Sequence, residues 1–401
     1  MGVKDAGIDG ISGDALDALE RLKIEVPSWG FANTGTRFGK YLQAGAATTL
    51  EEKFADAAQV NALTGITPQL ALHVQWDLPA GISDVRGTER LADKYGVQAG
   101  SINPNLFQDQ EYKFGSICNP DPGIRRKAVD HLLESVEIAK ALGSRDVSLW
   151  IADGSNYPGA QSIRKRIGWL EDAAKATHEC LNPGQRMLVE YKPFEPAFYH
   201  TDVADWGMAA HLARAAGPQA QVLVDTGHHY QGQNIEQIVA WLLHLRLLGG
   251  FHFNDRRYAD DDLTTGSIDP YQVFRIFHEI FSERDAGVSG DIAYMIDQSH
   301  NIKGKMEAMV QTAVTAQELY LKAALVDRER LSEFQSEAKT VEAEECLRTA
   351  FWTDVRPMLR EWRSKRGLPE EPLRALRESG YVERIEKERR SRNAALSVSY
   401  A

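Results

Sequence analysis

The sequence predicts an α/β chain: a (β/α)8 barrel followed by a C-terminal helical extension. Three observations carry this reading. Eight short β-rich runs alternate with helical patterns between residues 28 and 300, the rhythm of a closed parallel barrel. None of the runs is followed by the GxGxxG turn that a doubly wound dinucleotide sheet usually carries. After residue 303 the strand-like runs stop and the pattern is helical to the end.

The candidate strands, in order, are "SWGFA" (28–32), "LALHVQW" (70–76), "VQAGSI" (97–102) and "DVSLWIA" (146–152), then "RMLVEY" (186–191), "QVLVDT" (221–226), "GFHFND" (250–255) and "IAYMID" (292–297). Each is rich in β-branched, aromatic or aliphatic residues. Between them lie helical patterns such as "GIRRKAVDHLLESVEIAKALG" and "VADWGMAAHLARAAG", the latter stopped by glycine. The expected organisation is an N-terminal helical segment at 1–27, a catalytic TIM barrel at 28–302 and a helical arm at 303–401. An arm of that length exceeds a last barrel helix and is expected to pack on the barrel or on a neighbouring subunit.

Composition narrows the function classes. Forty-six basic against 57 acidic residues give a net charge of −11, which weighs against nucleic acid or an anionic membrane as the main partner. Cys118, Cys180 and Cys346 stand far apart with no CxxC pair. They offer neither a disulfide framework nor a thiolate zinc site and fit a reducing cytoplasm. The acidic start "MGVKDAGIDGISGDALDALERLKIEV" lacks the apolar core of a signal peptide. The most apolar stretch, "VAWLLHLRLLGGFHF", is interrupted by His244, Arg246 and a Gly pair, too broken to span a bilayer.

In such a barrel the active site forms at the C-terminal ends of the strands. Strands five to eight end on Glu190, Asp225, His252 and Asp297. Three carboxylates and one imidazole on successive strands point to a divalent cation such as Mn, Mg, Co or Zn. A second set lies just beyond: His228 after strand six, and Asp260 and Asp262 on the loop after strand seven, with Glu190 as a bridge. Two cations held this way grip adjacent substrate oxygens and stabilise an alkoxide. Lys192, two residues after Glu190, faces the same cavity. His73 on strand two, sharing a face with Gln75 and Asp77, is placed to move a proton on a sugar ring oxygen. Trp76, Trp150 and Phe107 supply aromatic walls. Taken singly, each residue has a plainer reading. A lone histidine is usually a satisfied core residue, the aspartate block a solvated loop, the tryptophans packing, and Lys192 a partner for Glu190 or Glu195. Convergence at one rim is what favours the site.

The motifs "SWGFANTGTRFGKY", "LALHVQWD", "SINPNLFQDQEYKFGSICNPD", "LWIADGSNYPGAQ", "VEYKPFEPAFYHT", "VDTGHHYQGQNIE", "FHFNDRRYADDDLTTGSIDPYQ" and "MIDQSHNIKGK" span most of the barrel. Together they resemble L-rhamnose isomerase, in its bacterial branch of broad aldose specificity, among the xylose-isomerase-like sugar isomerases. The resemblance implies two divalent cations per chain, Mn2+ first, with Co2+, Mg2+ or Zn2+ as alternatives. Glu190, Asp225, His252 and Asp297 would hold a structural cation, and His228, Asp260 and Asp262 a catalytic one with Glu190 shared. His73, Lys192, His228 and Asp260 would be catalytic. His73, Trp76, Trp150 and Lys192 would line the substrate pocket, and Phe38 would reach a neighbouring subunit's site in a homotetramer. The implied reaction interconverts L-rhamnose and L-rhamnulose by a C2–C1 hydride shift, with allose, mannose or lyxose as further substrates. An enediol route stays open, as does a ketose 3-epimerase on a similar barrel. A barrel nuclease would need a basic groove that the charge does not supply.

Overall fold

The computed structural model describes residues 8–33, 41–195, 199–285, 291–299 and 302–396. Eight parallel strands close a barrel: β1 (Ile24–Pro27), β2 (Gln69–His73), β3 (Gln98–Asn103), β4 (Asp146–Trp150), β5 (Arg186–Glu190), β6 (Ala220–Asp225), β7 (Leu248–Phe253) and β8 (Ala293–Ile296). They neighbour one another in chain order, and β8 pairs with β1 to complete the ring.

The first strand differs from the sequence reading. "SWGFA" is not a strand; Ser28–Phe31 form a 3-10 turn and β1 precedes them. The four residues "IEVP" are too short to show a period, and Pro27, lacking an N–H, ends the ladder. The turn that follows carries Trp29 into the cleft at the barrel mouth.

Helix α1 (Ile8–Arg21) precedes the barrel. The helices that follow successive strands are α2 (Leu50–Thr64), α3 (Val85–Tyr95), α4 (Pro122–Ala141), α5 (Ile163–Glu179), α6 (Trp206–Ala216), α7 (Ile235–His244), α8 (Pro270–Asp285) and α9 (Lys305–Ala324). Capping fixes where many of them start. The side chains of Thr49, Asp121, Ser162, Asp205 and Asn234 accept from the first-turn N–H groups of α2, α4, α5, α6 and α7. Apolar side chains between strands and helices form the main core. Inside the ring, Leu188, Leu223, Ala293 and Met295 make a separate plug, so the barrel is a packed floor beneath its mouth rather than a pore.

The C-terminal stretch opens with α9, which packs against α8, α1 and α2 and closes the outer ring. Five helices follow: α10 (Arg328–Ser336), α11 (Thr340–Trp352), α12 (Arg356–Ser364), α13 (Pro372–Glu378) and α14 (Tyr381–Ala395). Helix α14 returns to the loop after β1. Arg389 donates to both Asp56 carboxylate oxygens at 2.7 and 2.9 Å and to the Gly45 carbonyl at 2.9 Å. The Asn393 amide donates to the carbonyls of Ala44 and Ala46. Among the described residues no helix is long and apolar enough to cross a membrane.

Candidate metal centre and aromatic cleft

The ends of β5, β6, β7 and β8 bring Glu190, Asp225, His252 and Asp297 together, one ligand atom from each lying within 4.8 Å of every other. His252 Nδ1 is 3.2 Å from Glu190 Oε1 and 3.9 Å from both Asp225 Oδ2 and Asp297 Oδ2. A second group shares Asp225 and adds His228 and Asp260. His228 Nε2 lies 3.9 Å from Asp225 Oδ2 and 3.5 Å from Asp260 Oδ2. Its Nδ1 donates to the Tyr191 carbonyl at 3.0 Å. A carbonyl only accepts, so Nδ1 keeps its hydrogen and Nε2 is the atom that can turn a lone pair to a cation.

The local backbone explains why these groups meet. Asp225 leaves the strand into "DTGHH", where its Oδ1 accepts from the Gly227 N–H at 2.6 Å. A Cβ on Gly227 would sit 2.6 Å from Asn254 Oδ1, 3.0 Å from Asp260 Oδ1 and 3.1 Å from Asp225 Oδ1, so any side chain there would push these site groups out of place. Asn254, two residues beyond His252, donates to both Asp225 oxygens at 3.0 and 3.2 Å. Trp29 Nε1 donates to Asp297 Oδ1 at 2.7 Å. Outer donors of this kind orient carboxylates for a metal.

The electrostatics fit a cation. Burial, with Glu190, Asp260 and Asp297 beside it and His228 opposing, lifts the Asp225 carboxyl to about 7. Burial works to lower both histidines, yet the surrounding carboxylates outweigh it. Asp225 and Asp260 carry His228 up to about 10, and Glu190 with Asp297 and Asp225 carries His252 up to about 9. Protons here balance a crowd of buried negative charge. A divalent ion would balance it better, because oxygen-rich sites with imidazole suit hard to borderline cations.

The cleft above this centre is walled by aromatics. His73 stacks on Trp76 with ring centroids 3.8 Å apart, and Phe107 leans on Trp150 at 4.8 Å. Lys192 Nζ lies 2.8 Å from Asp260 Oδ2 and 4.7 Å from the Trp150 ring centroid. His73 Nδ1 donates to the Val74 carbonyl at 2.8 Å, and burial pushes its pKa down to about 4. The imidazole is therefore neutral near pH 7, with Nε2 free to accept a proton. Asp77 is structural: buried, it takes Lys53 at 2.6 Å, Ser28 Oγ at 2.5 Å and the His73 N–H at 2.8 Å, fixing the end of β2.

Asp262 stands outside both ligand groups; it lines the cleft and accepts from Ser299 Oγ at 2.6 Å. The second group gathers on Asp225 instead, while Glu190 Oε1 stays 3.3 Å from His228 Nδ1. Phe38 lies outside the described residues. Trp29, Asn254 and Ser299 are contributors that pattern reading passes over.

Fold and site together define a barrel protein with two adjoining cation-ready groups at the floor of an aromatic-walled cleft. A family model described as "Xylose isomerase-like TIM barrel" matches residues 67–282. A "probable sugar isomerase" of Rhizobium meliloti is 41% identical over 387 residues, covering 95% of this chain and 89% of that one. A second, from Mesorhizobium japonicum, is 40% identical over the same coverage. A solved "Xylose Isomerase domain protein" from Alicyclobacillus acidocaldarius shares the fold at a TM-score of 0.53 and 15% identity, covering 75% of this chain and 99% of its own. The chain belongs to the xylose isomerase-like TIM barrel family of sugar isomerases.

Proposed function

We propose that this protein interconverts L-rhamnose and L-rhamnulose, and accepts related aldoses such as allose, mannose and lyxose. The observation that supports this most is the shared-carboxylate pair of groups, Glu190–Asp225–His252–Asp297 and Asp225–His228–Asp260, opening onto one cleft with His73 and Lys192. Glu190, Asp225, His252 and Asp297 would hold one divalent cation, and His228 and Asp260 with Asp225 a second, Mn2+ in our reading. Asp262 borders the second position. Bound cations supply the Lewis acidity that lets hydrogen pass between C2 and C1 as a hydride.

The chain's own residues prepare that step. His73, neutral and with Nε2 unprotonated, takes the proton of the anomeric hydroxyl and returns it to the ring oxygen as the bond from that oxygen to C1 breaks. Stacking on Trp76 fixes its plane. Lys192, held by Asp260 and the Trp150 face, donates to the substrate oxygen on which negative charge grows. Trp76, Trp150 and Phe107 cover the C–H faces of the sugar and exclude water. We further read the working form as a cytoplasmic homotetramer in which Phe38 reaches a neighbour's cleft.

The direct test is ketose formation from L-rhamnose by chelator-stripped protein, with and without added Mn2+. The expected result is activity restored by metal, with about two ions per chain. No conversion despite full metal loading, or epimerisation at C3 instead, would overturn the reading.

A further inference from the structure

Two polar atoms of the cleft stand apart from everything above. Ser148 lines the cleft yet is only 2% exposed, and its Oγ has no hydrogen-bond partner. Trp150 lines it as well, and its indole Nε1–H is buried without a partner. The two residues lie on β4 at positions i and i+2, so both face the barrel interior. Neither takes part in the cation groups, which rise from β5 to β8 and the loops after β6 and β7.

Buried polar groups are almost always satisfied, and an orphan in a binding cleft calls for a partner from outside the chain. The chemistry of the pair says which. An indole N–H only donates, whereas a serine hydroxyl both donates and accepts. A substrate hydroxyl needs one donor and one acceptor, and this pair offers one of each. A carboxylate or phosphate would leave Ser148 with nothing to accept and would meet Glu190, Asp260 and Asp297 nearby. The flanks, Phe107 and Pro104, are apolar and suit the C–H face of a sugar carbon.

We propose that Ser148 and Trp150 form a hydroxyl-recognition subsite that selects the sugar by one hydroxyl on a carbon that does not react, C3 to C6. This rests on the sugar-isomerase reading for the class of ligand and not for the reaction. The subsite makes Ser148 and Trp150 Nε1 specificity determinants, distinct from the stacking role of the Trp150 ring.

The test uses alditols, which bind as sugars but cannot isomerise. Binding of L-rhamnitol, its C3-deoxy, C4-deoxy and C5-deoxy analogues and L-mannitol, which adds a C6 hydroxyl, is measured by calorimetry on the cation-loaded protein. The proteins compared are wild type, Ser148→Ala and Trp150→Phe. A site built around a substrate hydroxyl discriminates strongly against its loss. The expected result is roughly tenfold weaker binding in Ser148→Ala for alditols that carry the recognised hydroxyl, and equal binding for the one that lacks it. Trp150→Phe, which keeps an aromatic face but removes the N–H together with the five-membered part of the indole, should weaken binding of the whole series through lost stacking and, on top of that, single out the same hydroxyl. A uniform effect of Ser148→Ala across the series, no effect, or no alditol binding to wild type would overturn the subsite. Turnover of L-rhamnose is scored separately. A hydroxyl-selective Ser148→Ala effect without isomerisation would leave the subsite standing and sink the proposed reaction. Isomerisation with a uniform effect would do the reverse.

Discussion

At the residue scale the cation groups are held by partners that give no ligand atom of their own. Trp29 reaches Asp297 through its indole N–H at 2.7 Å, and Asn254 reaches both oxygens of Asp225. Loss of such an outer partner typically costs roughly 10–100-fold in metal affinity. Trp29→Phe keeps an aromatic ring beside His73 and Trp76 and removes the donor together with the five-membered part of the indole. Its Mn2+ affinity, measured by competition against a chelator, should fall within that range, and unchanged affinity would remove Trp29 from the metal centre. His73 invites a different test, because burial holds it neutral near pH 7. His73→Gln should lower kcat/KM on L-rhamnose by about 100-fold or more while leaving cation content unchanged. Glyceraldehyde cannot form a sugar ring, so a loss of equal size on it would show that His73 does not act in ring opening.

At the element scale, what could be read from the sequence follows from how strands announce themselves. β5 to β8 are buried runs broken by one acidic or imidazole residue, and that interruption makes Glu190, Asp225, His252 and Asp297 legible as a convergence. β1 hides, because four buried residues ending in proline have no alternation to detect. Trp29 was hidden with it. The direction in which Asp262 points was also beyond pattern. Asp262 sits at φ 47°, a left-handed conformation that sets its direction through the loop backbone, not through spacing from His252. The C-terminal arm was legible as helix but not as a clamp. Its last helix holds the loop after β1 through Arg389, whose guanidinium shares Asp56 with the Tyr381 hydroxyl at 2.7 Å. Removing one partner of a buried ion pair strands the other, at a cost of about 3–5 kcal/mol. Arg389→Met should therefore unfold at distinctly lower urea concentration than wild type. An unchanged midpoint would mean that α14 does not brace this loop.

At the scale of the whole molecule the barrel carries a second charged layer beneath its apolar plug. Arg186 binds Asp146 at 2.8 Å, and Arg145 pairs with Asp146 at 2.9 Å and with Asp291. Among them Glu25 points inward from β1, accepting from the Ser101 N–H at 2.8 Å and from its hydroxyl. Gly100 leaves the room for it, since a Cβ there would lie 2.2 Å from Glu25 Oε2. Burial raises the Glu25 carboxyl from 4.5 to about 7, with Asp146 adding to the rise and the Ser101 hydrogen bonds resisting it. The folded state thus holds this proton more tightly than the unfolded chain does. Its contribution is present in full below about pH 4.5 and is lost as pH rises through about 7. The amount at stake is on the order of 3 kcal/mol, because each tenfold gain in proton affinity is worth about 1.4 kcal/mol. Glu25→Gln mimics the protonated form and carries no titration, so its stability relative to wild type should grow between pH 5 and 8. Urea unfolding of both proteins across that range, with cations absent so that the upper site does not titrate against them, measures the difference. Parallel stability curves would show that Glu25 ionises in the fold as freely as in water. A widening gap would mean that the barrel floor stores an acid proton under neutral conditions, one layer below the carboxylates of the cleft.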